Sequence, residues 1–200
     1  MSFKFVPRFS STRKPQAPRR DRRARQSIRL RPSLTFLEER QLLSTIVVDN
    51  PTDAPVVGFT DLREAIALAA LDADDDVITF DPNVFASPTT ISLDSGAIDL
   101  TKATGTLTIQ GPGAGLLSVS GNNASAVFGL TGGIVAISGL TITGGANDFG
   151  AVINYGGTAT LADCVLSGNN DEGGAVLNSG GTTTLIDSTI SNNTARSAAA

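Results

Sequence analysis

Residues 151–169 read AVINYGGTATLADCVLSGN, and residues 175–193 read AVLNSGGTTTLIDSTISNN. The two stretches lie over one another at an offset of 24 positions. Ile142, Leu166 and Ile190 fall in one column; Leu161 and Leu185, Ile153 and Leu177, Asn154 and Asn178, Asn169 and Asn193, Asp163 and Asp187, and Gly150 and Gly174 form others. A fixed period in the twenties to forties marks a solenoid, in which each unit buries its apolar side only by stacking on the next. Here the unit consists of short alternating apolar runs punctuated by Gly, Asn and Asp. That composition makes strands and turns and leaves no room for a helix. The predicted fold is therefore all-β: a right-handed parallel β-helix with about 24 residues per coil.

Each column has a physical role in such a stack. Strands of successive coils lie about 4.8 Å apart, so inward residues must be apolar and meet their equivalents. The pair Gly156-Gly157 over Gly180-Gly181 repeats a backbone shape at a corner. The two asparagine columns read as ladders of side-chain amides bonding coil to coil. Upstream, further strands are expected at Thr45–Asp49, Val77–Phe80, Thr90–Leu93, Leu107–Ile109, Leu117–Val119, Ala126–Phe128, Ile134–Ile137 and Leu140–Ile142. Residues 105–200 then hold roughly four coils, a stack of about 20 Å.

One segment breaks the strand pattern. Asp61 can cap a helix, and Glu64 stands three residues later as in a capping box. Leu62, Ile66, Ala69 and Ala70 share one face with Ala65 beside them, predicting a helix over about 61–71. An amphipathic helix ahead of the coils suits a cap, because a bare solenoid end exposes its core and a row of unpaired backbone groups. No second segment of this kind follows the last repeat. The open C-terminal end is expected to meet further coils or another chain, further coils being preferred.

Charge divides the chain. Residues 1–40 carry 12 of the 15 Lys+Arg and a net charge of +9, whereas residues 41–200 carry a net charge of −13. Six of the nine prolines precede residue 56, and 20 of the 21 glycines lie between Gly96 and Gly181. The expected organisation is a basic disordered head over 1–44, a cap with the first strands over 45–104, and coils over 105–200. The Arg19, Arg20, Arg22, Arg23, Arg25 cluster suits phosphate neutralisation, but it lacks interleaved aromatics and the acidic body would repel a nucleic acid. Nucleic acid is accordingly not expected as a partner.

His and Trp are absent, and Cys164 is the only cysteine. Without His, Ser-His-Asp and Cys-His nucleophilic sites and nitrogen-ligated zinc are excluded. No internal disulfide can form. No apolar run approaches the ~20 residues needed to span a bilayer as a helix.

Two stretches carry resemblances. Leu37-Glu38-Glu39-Arg40-Gln41-Leu42-Leu43-Ser44, behind an Arg-rich run, resembles the LExRxLLS head of large repeat-rich exported proteins of planctomycete-type bacteria. This implies export or surface sorting. The segment Asp61-Leu62-Arg63-Glu64-Ala65-Ile66, followed by Asp75-Asp76-Val77-Ile78-Thr79-Phe80-Asp81-Pro82, resembles the opening of bacterial right-handed parallel β-helix surface proteins. That family includes the polymorphic outer-membrane and adhesin-like repeat proteins. Its usual Cys or Ser with Ser before LREAI is replaced here by Thr60-Asp61. The resemblance covers about residues 45–194 and implies a cell-surface, outer-membrane or extracellular location, with polysaccharide or matrix as the contact.

Parallel β-helices of the pectin lyase-like fold also house polysaccharide lyases and hydrolases, which makes the acidic groups candidate site residues. Asp163 and Asp187 stack one coil apart, which would set their carboxylates about 5 Å from each other, a spacing open to a hydrolase dyad. Asp148, Asp171 and Glu172 sit in nearby turns. Repeated Asp in a turn column is more often a turn former bonding its own backbone. Asp72, Asp74, Asp75 and Asp76 could offer oxygens to Ca²⁺, yet no glycine bends that loop and a solvated connector is the simpler reading. Tyr155 stacks over Ser179 and builds no aromatic platform; Cys164 stacks over Ser188 as a small packed residue. No catalytic residue and no cofactor are expected, and a non-enzymatic surface protein is preferred over a lyase or hydrolase whose active coils lie elsewhere.

Overall fold

The computed structural model describes residues 44–71, 73–146 and 150–195, and the structural statements below concern those residues. Their seventeen strands form parallel columns. The longest column runs β1 (Ser44–Val48), β2 (Asp76–Phe80), β5 (Thr106–Gln110), β8 (Ile134–Ser138), β11 (Thr158–Ala162) and β15 (Thr182–Ile186). A second runs β3 (Thr89–Ser92), β6 (Leu117–Ser120), β9 (Thr141–Thr143), β12 (Val165–Ser167) and β16 (Thr189–Ser191). The third runs β4 (Ile98–Asp99), β7 (Phe128–Leu130), β10 (Val152–Asn154) and β14 (Val176–Asn178), and β13 (Asn170–Asp171) pairs with β17 (Thr194–Ala195). Every pairing is parallel between strands of successive coils, which makes the chain a parallel β-solenoid.

The register explains the repeat. Thr158 faces Thr182, and Ile134 faces Thr158, both at the offset of 24. Below that the coils lengthen: Thr106 faces Ile134, Asp76 faces Leu107, and Ser44 faces Asp76. The extra residues go into corners, and between β1 and β2 into the helix α1 (Leu62–Ala69).

Inward side chains stack as the columns require. Ile78, Ile109, Ile137 and Leu161 form one buried row; Ile91, Val119, Ile142 and Leu166 form another; Ile98, Phe128 and Val152 form a third. Burying each such side chain is worth about 1.5–3 kcal/mol, and their stacking is the source of the solenoid's cohesion. In the last described coil the same columns continue with Leu185 and Ile190, which are 38% and 53% exposed where their partners Leu161 and Leu166 are fully buried.

Helix α1 starts where the sequence places it. Asp61 accepts a hydrogen bond from the Glu64 backbone N–H at 2.8 Å, which satisfies one of the donors a helix start leaves open. It is shorter than the expected span of about 61–71: it ends at Ala69, and Ala70 is its C-cap. Leu62, Ala65, Ile66 and Ala69 are buried on the common core, whereas Ala70 is exposed and leaves the expected face. The helix packs against β1 and β2. A further adjustment concerns β7, which spans Phe128–Leu130 and not Ala126–Phe128. The chain there buries Val127 and Phe128 in succession, which no strict alternation anticipates. The short strand β4 has no counterpart in the sequence reading.

Corners need special backbone. Gly133 has φ +80°, and a Cβ there would collide with the carbonyl oxygen of Lys102 in the coil below. Asp163 and Asp187 have φ of 52° and 48°, and Gly139 fills the same corner one coil earlier with φ +64°. Short polar side chains tolerate this left-handed region better than any others except glycine.

Candidate functional site

Asp163 and Asp187 do share one corner. Both are exposed, each follows the end of a strand in the first column, and the Asp163 N–H donates to the Ile186 carbonyl at 3.0 Å. The left-handed backbone at both positions is itself a reason for Asp in that column. Asp148 lies outside the described residues, as does the side chain of Asp171; Glu172 is exposed in the turn after β13.

The acidic run after α1 is spent on the fold. Asp75 accepts from the Thr106 N–H at 2.7 Å, tying two coils together. Asp76 is buried: one carboxylate oxygen takes the Ser44 hydroxyl, and the other lies 2.5 Å from Lys102 Nζ. Lys102 is likewise buried and donates to the Ala69 carbonyl at the C-terminus of α1, where a cation is favoured by the helix dipole. Asp74 is half-buried, and Asp72 lies outside the described residues. Among the described residues no three His, Cys, Asp or Glu side chains converge as a metal site.

A second charged pair sits beside the helix. Arg63 grips Asp53 through Nε at 2.9 Å and Nη2 at 3.0 Å, and donates to the Gly96 and Ala97 carbonyls. Asp53 also accepts the backbone N–H groups of Asp94 and Ser95, both at 2.9 Å. Burial pushes the Asp53 carboxyl up. The hydrogen bonds from Arg63, Ser95 and Asp94, together with the Arg63 charge, outweigh that and hold it below the usual carboxylate value. These groups border a depression of about 260 Å³ that also touches Pro55 and Ala67. These bonds join loop, helix and corner, so the arrangement is a clasp.

The asparagine columns behave in two ways. Asn169 Nδ2 donates to Asn193 Oδ1 at 2.9 Å, and the Gly145 N–H donates to Asn169 Oδ1 at 2.8 Å, a ladder running through three coils. Asn154 instead folds over its own corner, accepting from Gly156 and Gly157, and reaches the next coil through Thr183 Oγ1 at 3.0 Å. Asn178 receives that Thr183 hydroxyl at 2.9 Å, so this column is linked through a threonine. Cys164 is buried, with Sγ 3.2 Å from the Ala162 carbonyl, and burial pushes its thiol pKa up. Ser188 makes the equivalent bond to Ile186 at 2.9 Å.

What remains available to a partner is lateral surface. The outward residues of the second column are Thr90, Ser118, Thr141, Val165 and Thr189 in one rank, and Ser92, Ser120, Thr143, Ser167 and Ser191 in the other. Nine of these ten are hydroxyl residues and none is charged, on a body of net −13. The 24-residue repeat by itself does not reveal this face. Its signal was present in the triplets TIS, SVS, TIT, VLS and TIS, but their alignment depends on register across coils of unequal length. No family model, no curated protein and no solved structure matches the chain.

Proposed function

We propose that the chain is a non-enzymatic, exported or cell-surface β-solenoid protein that contacts polysaccharide or matrix through its long lateral faces. The observation that carries this reading is the uncharged, hydroxyl-rich outer surface of the β3-β6-β9-β12-β16 sheet. The acidic groups nearest to a site are otherwise engaged: Asp53, Asp75 and Asp76 hold the first coils together. The LExRxLLS head and the LREAI segment, by their resemblance to exported repeat proteins and adhesin-like β-helix proteins, support the same location and role. Fold alone does not supply a function, so the test is cellular. Cells making the full chain should carry it in the surface fraction and adhere to a polysaccharide-coated support better than cells lacking it. Recovery of the protein wholly in the soluble interior fraction would overturn the proposal.

One observation favours a second reading, a polysaccharide lyase or hydrolase: Asp163 and Asp187 are exposed and stacked at one corner. Cleavage of a polysaccharide by the protein, lost in Asp163→Asn and Asp187→Asn variants that still fold, would establish it. Asn keeps the left-handed corner, so these variants separate chemistry from structure.

A further inference from the structure

The two outward ranks of the second column form a lattice. Along each strand, outward residues two apart are about 6.6 Å from one another, and successive coils are about 4.8 Å apart. Five rungs therefore span about 19 Å along the solenoid axis. The rungs are Thr90/Ser92, Ser118/Ser120, Thr141/Thr143, Val165/Ser167 and Thr189/Ser191. All ten positions are half-buried or exposed. Of the nine hydroxyls, Thr141 donates to the Ala114 carbonyl at 2.8 Å and Ser120 accepts from the Asn122 N–H at 3.1 Å. The other seven make no side-chain hydrogen bond with the described residues.

Resting on the matrix-contact reading above, we infer that this face binds an extended, neutral glycan chain laid along the solenoid axis, one sugar to a rung. A hydroxyl both donates and accepts, as sugar hydroxyls do, so either orientation of a sugar edge finds a partner. A single hydroxyl bond exchanged with water contributes little, and affinity must come from repetition in register. The parallel solenoid supplies that repetition because stacked strands cannot slip without flipping the inward Ile91, Val119, Ile142, Leu166 and Ile190 column outward. Charge decides between neutral and acidic glycans. No cation lies on the face, and the acidic body would repel a uronate or sulfated chain.

The test uses the full chain and two probes: insoluble β-1,4-glucan particles, and soluble β-1,4-gluco-oligosaccharides of two to eight sugars as competitors. Retention on the particles is expected, with competition strengthening as the oligomer grows to about five sugars and levelling off beyond. The variant Thr143→Val/Ser167→Ala removes hydroxyls while keeping strand-compatible side chains, and should weaken retention about tenfold with an unchanged melting temperature. Thr160→Val, on the outer side of β11 in the neighbouring sheet, should bind as the unaltered protein does. Equal weakening by Thr160→Val would move the contact to another face and overturn this assignment while leaving the matrix-contact reading intact. Retention only on acidic polysaccharide would likewise overturn it and leave that reading standing. Inhibition of ice recrystallisation with no glycan retention would assign the lattice to ordered water instead. Failure to bind any glycan, with surface adhesion still present in cells, would refute the glycan alone; loss of both would refute the two proposals together.

Discussion

Replacing Lys102 by Met should cost more stability than any surface change in this chain, and replacing its partner as well should restore most of the loss. The Lys102 ammonium and the Asp76 carboxylate are 2.5 Å apart, and their side chains are 1% and 0% exposed. With Lys102 gone, Asp76 stays buried with only the Ser44 hydroxyl described on its carboxylate. Breaking a buried pair on one side costs about 3–5 kcal/mol, because the remaining charge is left uncompensated. The Ala69 carbonyl at the end of α1 loses its donor at the same time. For a folded unit of this size, 1 kcal/mol moves the melting temperature by about 2–4 °C, so a drop of roughly 6–20 °C is expected. Replacing both members by apolar residues of similar volume is often neutral or stabilising. The double variant Lys102→Met/Asp76→Leu should therefore lie well above Lys102→Met alone.

The assay is denaturant unfolding at 25 °C of the parent chain, both single variants and the double variant, closed as a double-mutant cycle. A solenoid unfolds through nearest-neighbour interfaces, so the signal should come from the first coils, read by hydrogen exchange in β1, β2 and β5. A loss below about 1 kcal/mol for Lys102→Met would place the pair in water and refute the reasoning, since exposed pairs contribute about that much. A double variant as damaged as the sum of the singles would also refute it, because the two groups would then act independently.

The Asp53–Arg63 clasp makes the first coils acid-labile in a defined window. The folded carboxyl sits below its unfolded value of about 3.9, so its contribution is fully present above that value and is lost as pH falls through the lower folded value; Arg63→Ala should flatten the stability slope below about pH 4 in an acid titration. Gly133→Ala forces a side chain into φ +80° against the Lys102 carbonyl. It should destabilise by at least about 1–3 kcal/mol, measured by thermal unfolding, and a neutral result would refute the close approach. Cys164 should react with a thiol reagent only after unfolding, given its burial and raised pKa. Cys164→Ser should change stability by less than about 1.5 kcal/mol, since Ser188 makes the same carbonyl bond one coil on.

The sequence disclosed the fold where selection on inward side chains is strictest. Ile142, Leu166 and Ile190 can be aligned from text alone because two consecutive coils have equal length and one residue type per slot. One coil earlier the offset is still 24, yet Ile134 stands where Thr158 and Thr182 stand, and the likeness disappears from the text. Further down, corners of different length break the period altogether, which hides β4 between Gly96 and Lys102. The Lys102–Asp76 pair was illegible for the same reason. Asp76 read as one of a run of surface acids, and only the turn of a long coil brings a lysine 26 residues away under the helix end.

The outer faces follow different physics, and this bears on where function should be sought in such a chain. Inward slots are fixed by burial worth kilocalories per residue, so their repetition records the fold and nothing more. Outward slots on a solenoid carry a weaker packing demand, and on the first column they vary among Thr, Ser, Ala, Ile and Gln. On the second column they do not drift: nine of ten keep a hydroxyl through coils offset by 28, 23 and 24 residues. Strand propensity favours Thr but not Ser, and Ser holds four of the five positions in one rank. The proposed glycan contact accounts for a pattern that persists across corners of unequal length and runs against local propensity, and the oligosaccharide length series tests it directly: a competitor shorter than the lattice should gain with every added sugar, and one longer than it should gain nothing.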